Sequence, residues 1–143
     1  MTTDSLNVKK WIHFAQMDFD GASTLAKTRF RPPMELVCYL CQQAAEKILK
    51  AYTIARTNTR KKTHVLEDLL NDCVSYSADF NNLRDNCTKL MPYIALAHYP
   101  SDIELTEYHM RQALKDAQKI LTFTKSKLAE LGFGNATQSV SPD

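Results

Sequence analysis

The chain has 143 residues, of which 44% are hydrophobic and 24% charged, a size and composition typical of one folded domain. Its formal net charge is only +2, from 18 basic and 16 acidic side chains, which excludes strong attraction to nucleic acid by overall charge. Because glycine serves tight turns with positive φ, the presence of only three glycines favours long helices over a sheet.

The first ten residues are polar, and no apolar run is long enough to cross a bilayer. We therefore expect a cytoplasmic protein with reduced thiols. Cys38 and Cys41 have the spacing of a zinc-binding pair, but no second pair follows, and no Glu-x-x-His spacing occurs. The sequence thus predicts no metal site and no cofactor. Cys38, Cys41, Cys73 and Cys87 are interpreted as small apolar core residues.

Hydrophobic periodicity predicts helices throughout the chain. The first runs to about Arg29 and ends before Pro32, since the residue before a proline avoids the α region. The second extends from Pro33 to about Thr57. Asn58–Lys62 is a polar loop, and Thr63 is the predicted N-cap of a short third helix.

A fourth helix is expected from about residue 78, and Pro92 should kink or end it. The last helix is predicted near Ile103–Leu131, with Gly132 and Gly134 ending it. Long helices with short connections indicate an all-α, up-and-down bundle. We assign residues 1–133 to this bundle and residues 134–143 to a disordered tail, given their composition.

A polar stripe interrupts the second helix in the segment CQQAAEKILK, residues 41–50. The spacing i, i+3, i+4 and i+7 places four side chains on one face: Gln43, Glu46, Lys47 and Lys50. Such a stripe fits either an internal seam of salt bridges or a shallow groove for an anion. Lys47 and Lys50 would bind phosphate in the second case, and in the first they would pair with Glu46, Asp18 or Asp20.

The segment between the second and third helices is basic, with Arg56, Arg60, Lys61 and Lys62. We interpret it mainly as a solvated loop. His64 is expected just inside the third helix, where free backbone N–H groups and the helix dipole favour a neutral imidazole near an anion. The alternative is a partly exposed histidine that supports the helix cap.

Three motifs in order, QQAAEK, TH-x-L and AHYP at residues 97–100, resemble the HEPN family of small helical domains. The resemblance extends from Trp11 and Asp18 to Pro100. It implies a four-helix up-and-down bundle with one additional short helix, usually a homodimer. It also implies a small nucleotidyltransferase partner, in a module that resembles a toxin–antitoxin system. The activities that the resemblance implies are nucleotide binding and, in many members, metal-independent RNA cleavage.

The ribonucleases of this family carry an arginine and a histidine with four to six residues between them. Here Arg60 and His64 are separated by only three residues, and neither His98 nor His109 follows an arginine at that spacing. Whether the chain is an enzyme therefore stays open. His98 and His64 are the remaining catalytic candidates, since histidine can move a proton at the ribose 2′-OH.

The predicted nucleotide- or RNA-binding residues are Gln43, Lys47, Lys50, His64, His98 and Tyr99. Gln43 would bond a base or ribose, or instead link helices, and Tyr99 would stack on a base or fix its loop. The leading hypothesis is a dimeric nucleotide- or RNA-binding domain that acts with a nucleotidyltransferase. The alternatives are a metal-independent ribonuclease and a non-catalytic dimerisation or docking adaptor.

Overall fold

The computed structural model describes residues 3–28, 31–96 and 104–134, without the side chains of residues 3–6 and 28. Within these ranges the chain forms five α-helices and no strand, so the all-α prediction is confirmed. The helices are α1 (Thr3–Thr28), α2 (Met34–Thr57), α3 (Leu66–Tyr76), α4 (Arg84–Leu90) and α5 (Glu107–Leu128). Two 3₁₀ segments, Ala78–Leu83 and Met91–Ala95, flank α4, and a π-helical turn, Ala129–Phe133, follows α5.

The core is built around α2, which packs along α1 and also contacts α3, α4 and α5. Most of its residues are buried, including the polar Gln42, Glu46, Lys50 and Thr53. A helix that is surrounded in this way must bury polar side chains wherever its sequence carries them, and these need partners inside the protein. The partners define the candidate site.

The start of α3 differs from the prediction. The helix begins at Leu66, and Thr63 is not its N-cap. The Thr63 hydroxyl accepts a hydrogen bond from the backbone N–H of Val65 at 3.1 Å and donates one to Asp68 at 3.3 Å. Threonine side chains that bond the backbone two residues on form turns that compete with helix. His64 therefore lies before α3 rather than inside it.

The other boundaries were predicted more closely. α2 ends at Thr57 as expected, and Asn58 follows with a left-handed φ of 61°. The α-helical part of the fourth segment ends at Leu90, before Pro92. The last helix begins at Glu107 instead of 103, because Thr106 has an extended backbone, and its N–H donates to Nδ1 of His109 at 3.1 Å.

Gly132 has φ of +97° within the final π-helical turn, a conformation that glycine adopts without steric cost. It therefore allows the helical path to end close to the predicted position. Residues 135–143, which hold nearly all of the predicted disordered tail, lie outside the described residues.

All four cysteines are buried and none forms a disulfide, which agrees with the predicted apolar role. Burial raises the pKa of the Cys38 thiol to about 12, and nearby Glu35 adds to the effect. Burial likewise raises the pKa of Cys87 to about 12. No helix in the described part of the chain is long and apolar enough to span a membrane.

Candidate functional site

The side chain of Glu46 is the centre of a buried polar network. Its Oε2 atom lies 2.8 Å from Nζ of Lys50 and 2.8 Å from Nδ1 of His64. Its Oε1 atom accepts hydrogen bonds from the amides of Gln42 at 3.3 Å and Gln43 at 3.5 Å. A buried carboxylate is stable only when such donors replace water. We call these five residues, Gln42, Gln43, Glu46, Lys50 and His64, the Glu46 network.

The periodicity of α2 explains most of this arrangement. Gln42, Glu46 and Lys50 are each four residues apart, so they lie one above another on one face of the helix. Gln43 joins them by donating to Oε1 of Gln42 at 2.7 Å. His64 comes from the loop between α2 and α3, residues 58–65, which therefore lies against the same face of α2.

Trp11 of α1 covers the other end of the network. The ammonium group of Lys50 lies 5.5 Å from the centroid of the Trp11 ring. The guanidinium carbon of Arg60 lies 5.9 Å from the same ring. Cations over an aromatic ring are attracted to its negative face. α1, α2 and the 58–65 loop thus meet through Trp11.

His64 is both fixed and accessible. Its side chain is 70% exposed, whereas that of Glu46 is 3% exposed. Because a carboxylate only accepts hydrogen bonds, Nδ1 of His64 must carry the proton in this contact. In the neutral ring Nε2 is then an acceptor. A small cavity of about 110 Å³ borders the imidazole, lined also by Gln42, Met91 and Ile94.

The two lysines of the polar stripe have different surroundings. Lys50 is 6% exposed and pairs with Glu46, while Lys47 is 27% exposed and pairs with Asp18 of α1 at 2.7 Å. The structure thus contains two of the ion pairs that the sequence allowed as the alternative to phosphate binding. Lys50 balances the buried charge of Glu46, and Lys47 is the lysine that solvent reaches.

Of the six predicted binding residues, the structure brings Gln43, Lys50 and His64 together at Glu46 and places Lys47 on the next outward position of α2. His98 and Tyr99 lie outside the described residues.

Gln42, Trp11 and Arg60 were not among the predicted binding residues. The spacing of Gln42 from Glu46 was a usable signal, because residues four apart on a helix are neighbours. The contacts of Trp11 connect segments far apart in sequence, so no local pattern reveals them. In the described ranges no group of three or more His, Cys, Asp or Glu side chains is arranged to hold a metal ion.

The comparisons with known proteins agree with the helical architecture. The crystal structure of TT1696 from Thermus thermophilus is similar to this chain, with a TM-score of 0.66 and 25% sequence identity, over 84% of this chain and 97% of that one. The comparison with curated proteins gave no match. The model of the HEPN domain matches residues 8–128, a range that contains α2, the Glu46 network and all of α5. This chain therefore belongs to the HEPN domain family.

Proposed function

We propose that this HEPN-domain protein binds a nucleotide or the end of an RNA chain beside the Glu46 network. The observation that supports the proposal is the contact between Glu46 and His64, in which a buried carboxylate holds an exposed imidazole at 2.8 Å. A fixed polar group at the surface loses little side-chain entropy when it binds a ligand. Nε2 of His64 is thus placed to accept a hydrogen bond from a ribose hydroxyl or, in the imidazolium form, to donate one to a phosphate.

Arg60 supplies a positive charge on the same loop. It is exposed, and no carboxylate in the described part of the chain forms an ion pair with it. Its guanidinium is close to Trp11, which also contacts Lys50 of the Glu46 network. Because guanidinium groups bind phosphate through two parallel hydrogen bonds, Arg60 favours a phosphate-bearing ligand, and His64 would contact the adjoining ribose. Lys47 adds a second accessible cation.

Binding is tested by titrating AMP, ATP and a short single-stranded RNA into the protein by calorimetry. A charge-assisted hydrogen bond contributes about 1.5–3 kcal/mol, so we expect His64→Ala and Arg60→Ala each to weaken binding by about tenfold or more. Lys119→Ala, an exposed lysine on α5, is the matched control. Equal affinity in all variants would refute the site, and no affinity for any ligand would favour a docking adaptor.

The same proposal includes a homodimer and a small nucleotidyltransferase partner, in a cytoplasmic toxin–antitoxin-like module. It also includes an up-and-down four-helix bundle with one additional short helix, which the packing of α1 on α2 and of α5 on α2 and α4 supports.

The two associations are tested separately. For the homodimer, light scattering should give twice the chain mass of 16.3 kDa. Co-expression with a nucleotidyltransferase from the same gene neighbourhood should give a stable complex. A monomer that purifies alone would refute both associations.

A second candidate is a metal-independent ribonuclease. It is supported by the orientation of His64, because a carboxylate at Nδ1 leaves Nε2 as a proton acceptor. Nε2 would take the proton of a ribose 2′-OH, and the 2′-oxygen would attack the adjacent phosphorus. The 5′-oxygen would leave with a proton from water, giving a 2′,3′-cyclic phosphate, while Arg60 stabilises the charged phosphorane.

The ribonuclease candidate requires cleavage of single-stranded RNA in the presence of EDTA. His64→Ala should abolish the cleavage if His64 is the base, and His98→Ala should abolish it if the other candidate acts. Cleavage that persists in both variants would reject this activity.

A further inference from the structure

A cavity with aromatic and basic walls lies between α1 and α2, beside the Glu46 network. Its volume is about 420 Å³, and its lining residues are Asn7, Lys10, Trp11, Phe14 and Lys47. The four residues of α1 have the spacing of a single helix face. Phe14 is 48% exposed, so much of its ring surface is open to a ligand.

The charges around this cavity are not balanced. Its cations are Lys10, Lys47 and, over the Trp11 ring, Arg60 and Lys50. The carboxylates that face them are Asp18, which pairs with Lys47, and Glu46, which pairs with Lys50. Lys10 and Arg60 have no ion-pair partner in the described part of the chain. Two positive charges thus remain beside two aromatic rings.

We propose that this cavity binds a nucleobase against Phe14 and Trp11 while Lys10, Lys47 and Arg60 hold the attached phosphate. Flat aromatic surfaces beside uncompensated cations match a flat base that carries an anionic group, and base stacking on aromatic side chains tolerates any base. A free mononucleotide and a residue of single-stranded RNA offer the same chemistry. The inference rests on the proposed function, and it places the base on α1 while His64 lies on the adjoining loop.

Trp11 provides a direct readout, because it is the only tryptophan of the chain. We expect AMP, ATP and a short oligoadenylate RNA to change the Trp11 emission at saturation. Ribose 5-phosphate and inorganic phosphate lack a base and should leave it nearly unchanged. Tighter binding of the RNA than of AMP would identify RNA as the source of the base, and equal affinities would identify the mononucleotide.

Two variants test the walls of the cavity without removing a core residue. Phe14→Leu removes a stacking surface and should weaken binding by about fivefold or more. Lys10→Glu replaces an exposed cation and should weaken it at least as much, whereas Lys119→Glu on α5 changes the net charge equally and should not. Met17→Gln is the matched control for Phe14, since Met17 is 51% exposed on α1 but does not line the cavity.

The outcomes separate the two proposals. If calorimetry shows nucleotide binding that His64→Ala weakens, while the Trp11 emission and the Phe14→Leu affinity do not change, the base site is refuted and the proposed function stands. If no nucleotide or RNA binds, both are refuted. If Phe14→Leu lowers the molar mass of the protein in solution and leaves nucleotide affinity intact, the cavity belongs to a contact between two copies of the chain, which also overturns the base site.

Discussion

The carboxylate of Glu46 and Nδ1 of His64 lie 2.8 Å apart, although the two residues are 18 positions apart in the chain. The first side chain is 3% exposed and the second 70% exposed. This pair therefore connects the interior of the protein to its surface. Any change to the buried carboxylate should alter both the stability of the fold and the position of the imidazole.

Replacing Glu46 by Gln should destabilise the protein by about 3 kcal/mol, because Lys50 would remain buried without a carboxylate. Urea denaturation followed by circular dichroism measures this change. The control is Asp18→Asn, which breaks the more exposed pair with Lys47 and should cost about 1 kcal/mol or less. Similar losses in the two variants would contradict the assignment of Lys50 as a buried, charge-balancing residue.

Phe80 is the largest fully buried side chain in the described part of the chain. It is fully buried, with the ring centroids of Tyr52 at 4.6 Å and Phe123 at 5.2 Å. We expect Phe80→Ala to cost about 3–5 kcal/mol, since it removes a large side chain and leaves a cavity. Tyr108→Ala, at a ring that is 62% exposed, should cost less than about 1 kcal/mol in the same thermal or urea unfolding experiment. A smaller loss at Phe80 than at Tyr108 would be inconsistent with this core.

The four thiols should resist modification in the folded protein. Burial raises the pKa of Cys38 and Cys87 to about 12 and that of Cys41 and Cys73 further, and the thiolate is the reactive form. Ellman's reagent at pH 8 should label almost no thiol until guanidinium is added, and then all four. Rapid labelling of any cysteine in the native protein would show that its helix opens readily.

Stability should decrease at alkaline pH. Burial, with a smaller effect of Cys38, raises the pKa of Tyr93 from 10.0 to about 12. The unfolded chain therefore loses this proton at a lower pH than the folded chain does, and the contribution to stability is complete below pH 10 and lost as the pH rises towards 12. The four buried thiols, whose pKa values are also raised, act in the same direction. The urea concentration at the unfolding midpoint should therefore decrease as the pH is raised from 9.5 to 11, and it should decrease less for Tyr93→Phe. An equal decrease in both proteins would assign the effect to other groups.

The helices of this chain are predictable because their periodicity is a local property of the sequence. The end of α2 at Thr57 and the end of α4 before Pro92 follow from residues within one or two turns. The position of His64 does not, since Thr63 can either cap a helix or close a turn with Val65. Tertiary packing decides between these conformations, and the residues near Thr63 do not reveal it.

The contacts of the candidate site likewise include predictable local contacts and long-range contacts that the sequence does not reveal. The ion pair of Glu46 with Lys50 follows from their spacing on one helix. The contacts that Trp11 makes with Lys50 and Arg60 join α1 to α2 and its following loop, both of which are distant from Trp11 in sequence. A tryptophan in an apolar stripe is most simply interpreted as a core residue, and only the tertiary structure shows that it also lies beneath a basic loop.

The loop from Asn58 to His64 has a length that matches the path it must cover. Asn58 turns the chain back along α2 with its left-handed φ, and Glu46 lies about 18 Å from it along the helix axis. Six extended residues reach about 20 Å, so the loop must run largely extended to bring His64 to Glu46. Deleting one residue from it should weaken the contact of the imidazole with the carboxylate, whereas an added residue would form a bulge at small entropic cost. The number of residues in the loop therefore limits how far along α2 the imidazole can reach.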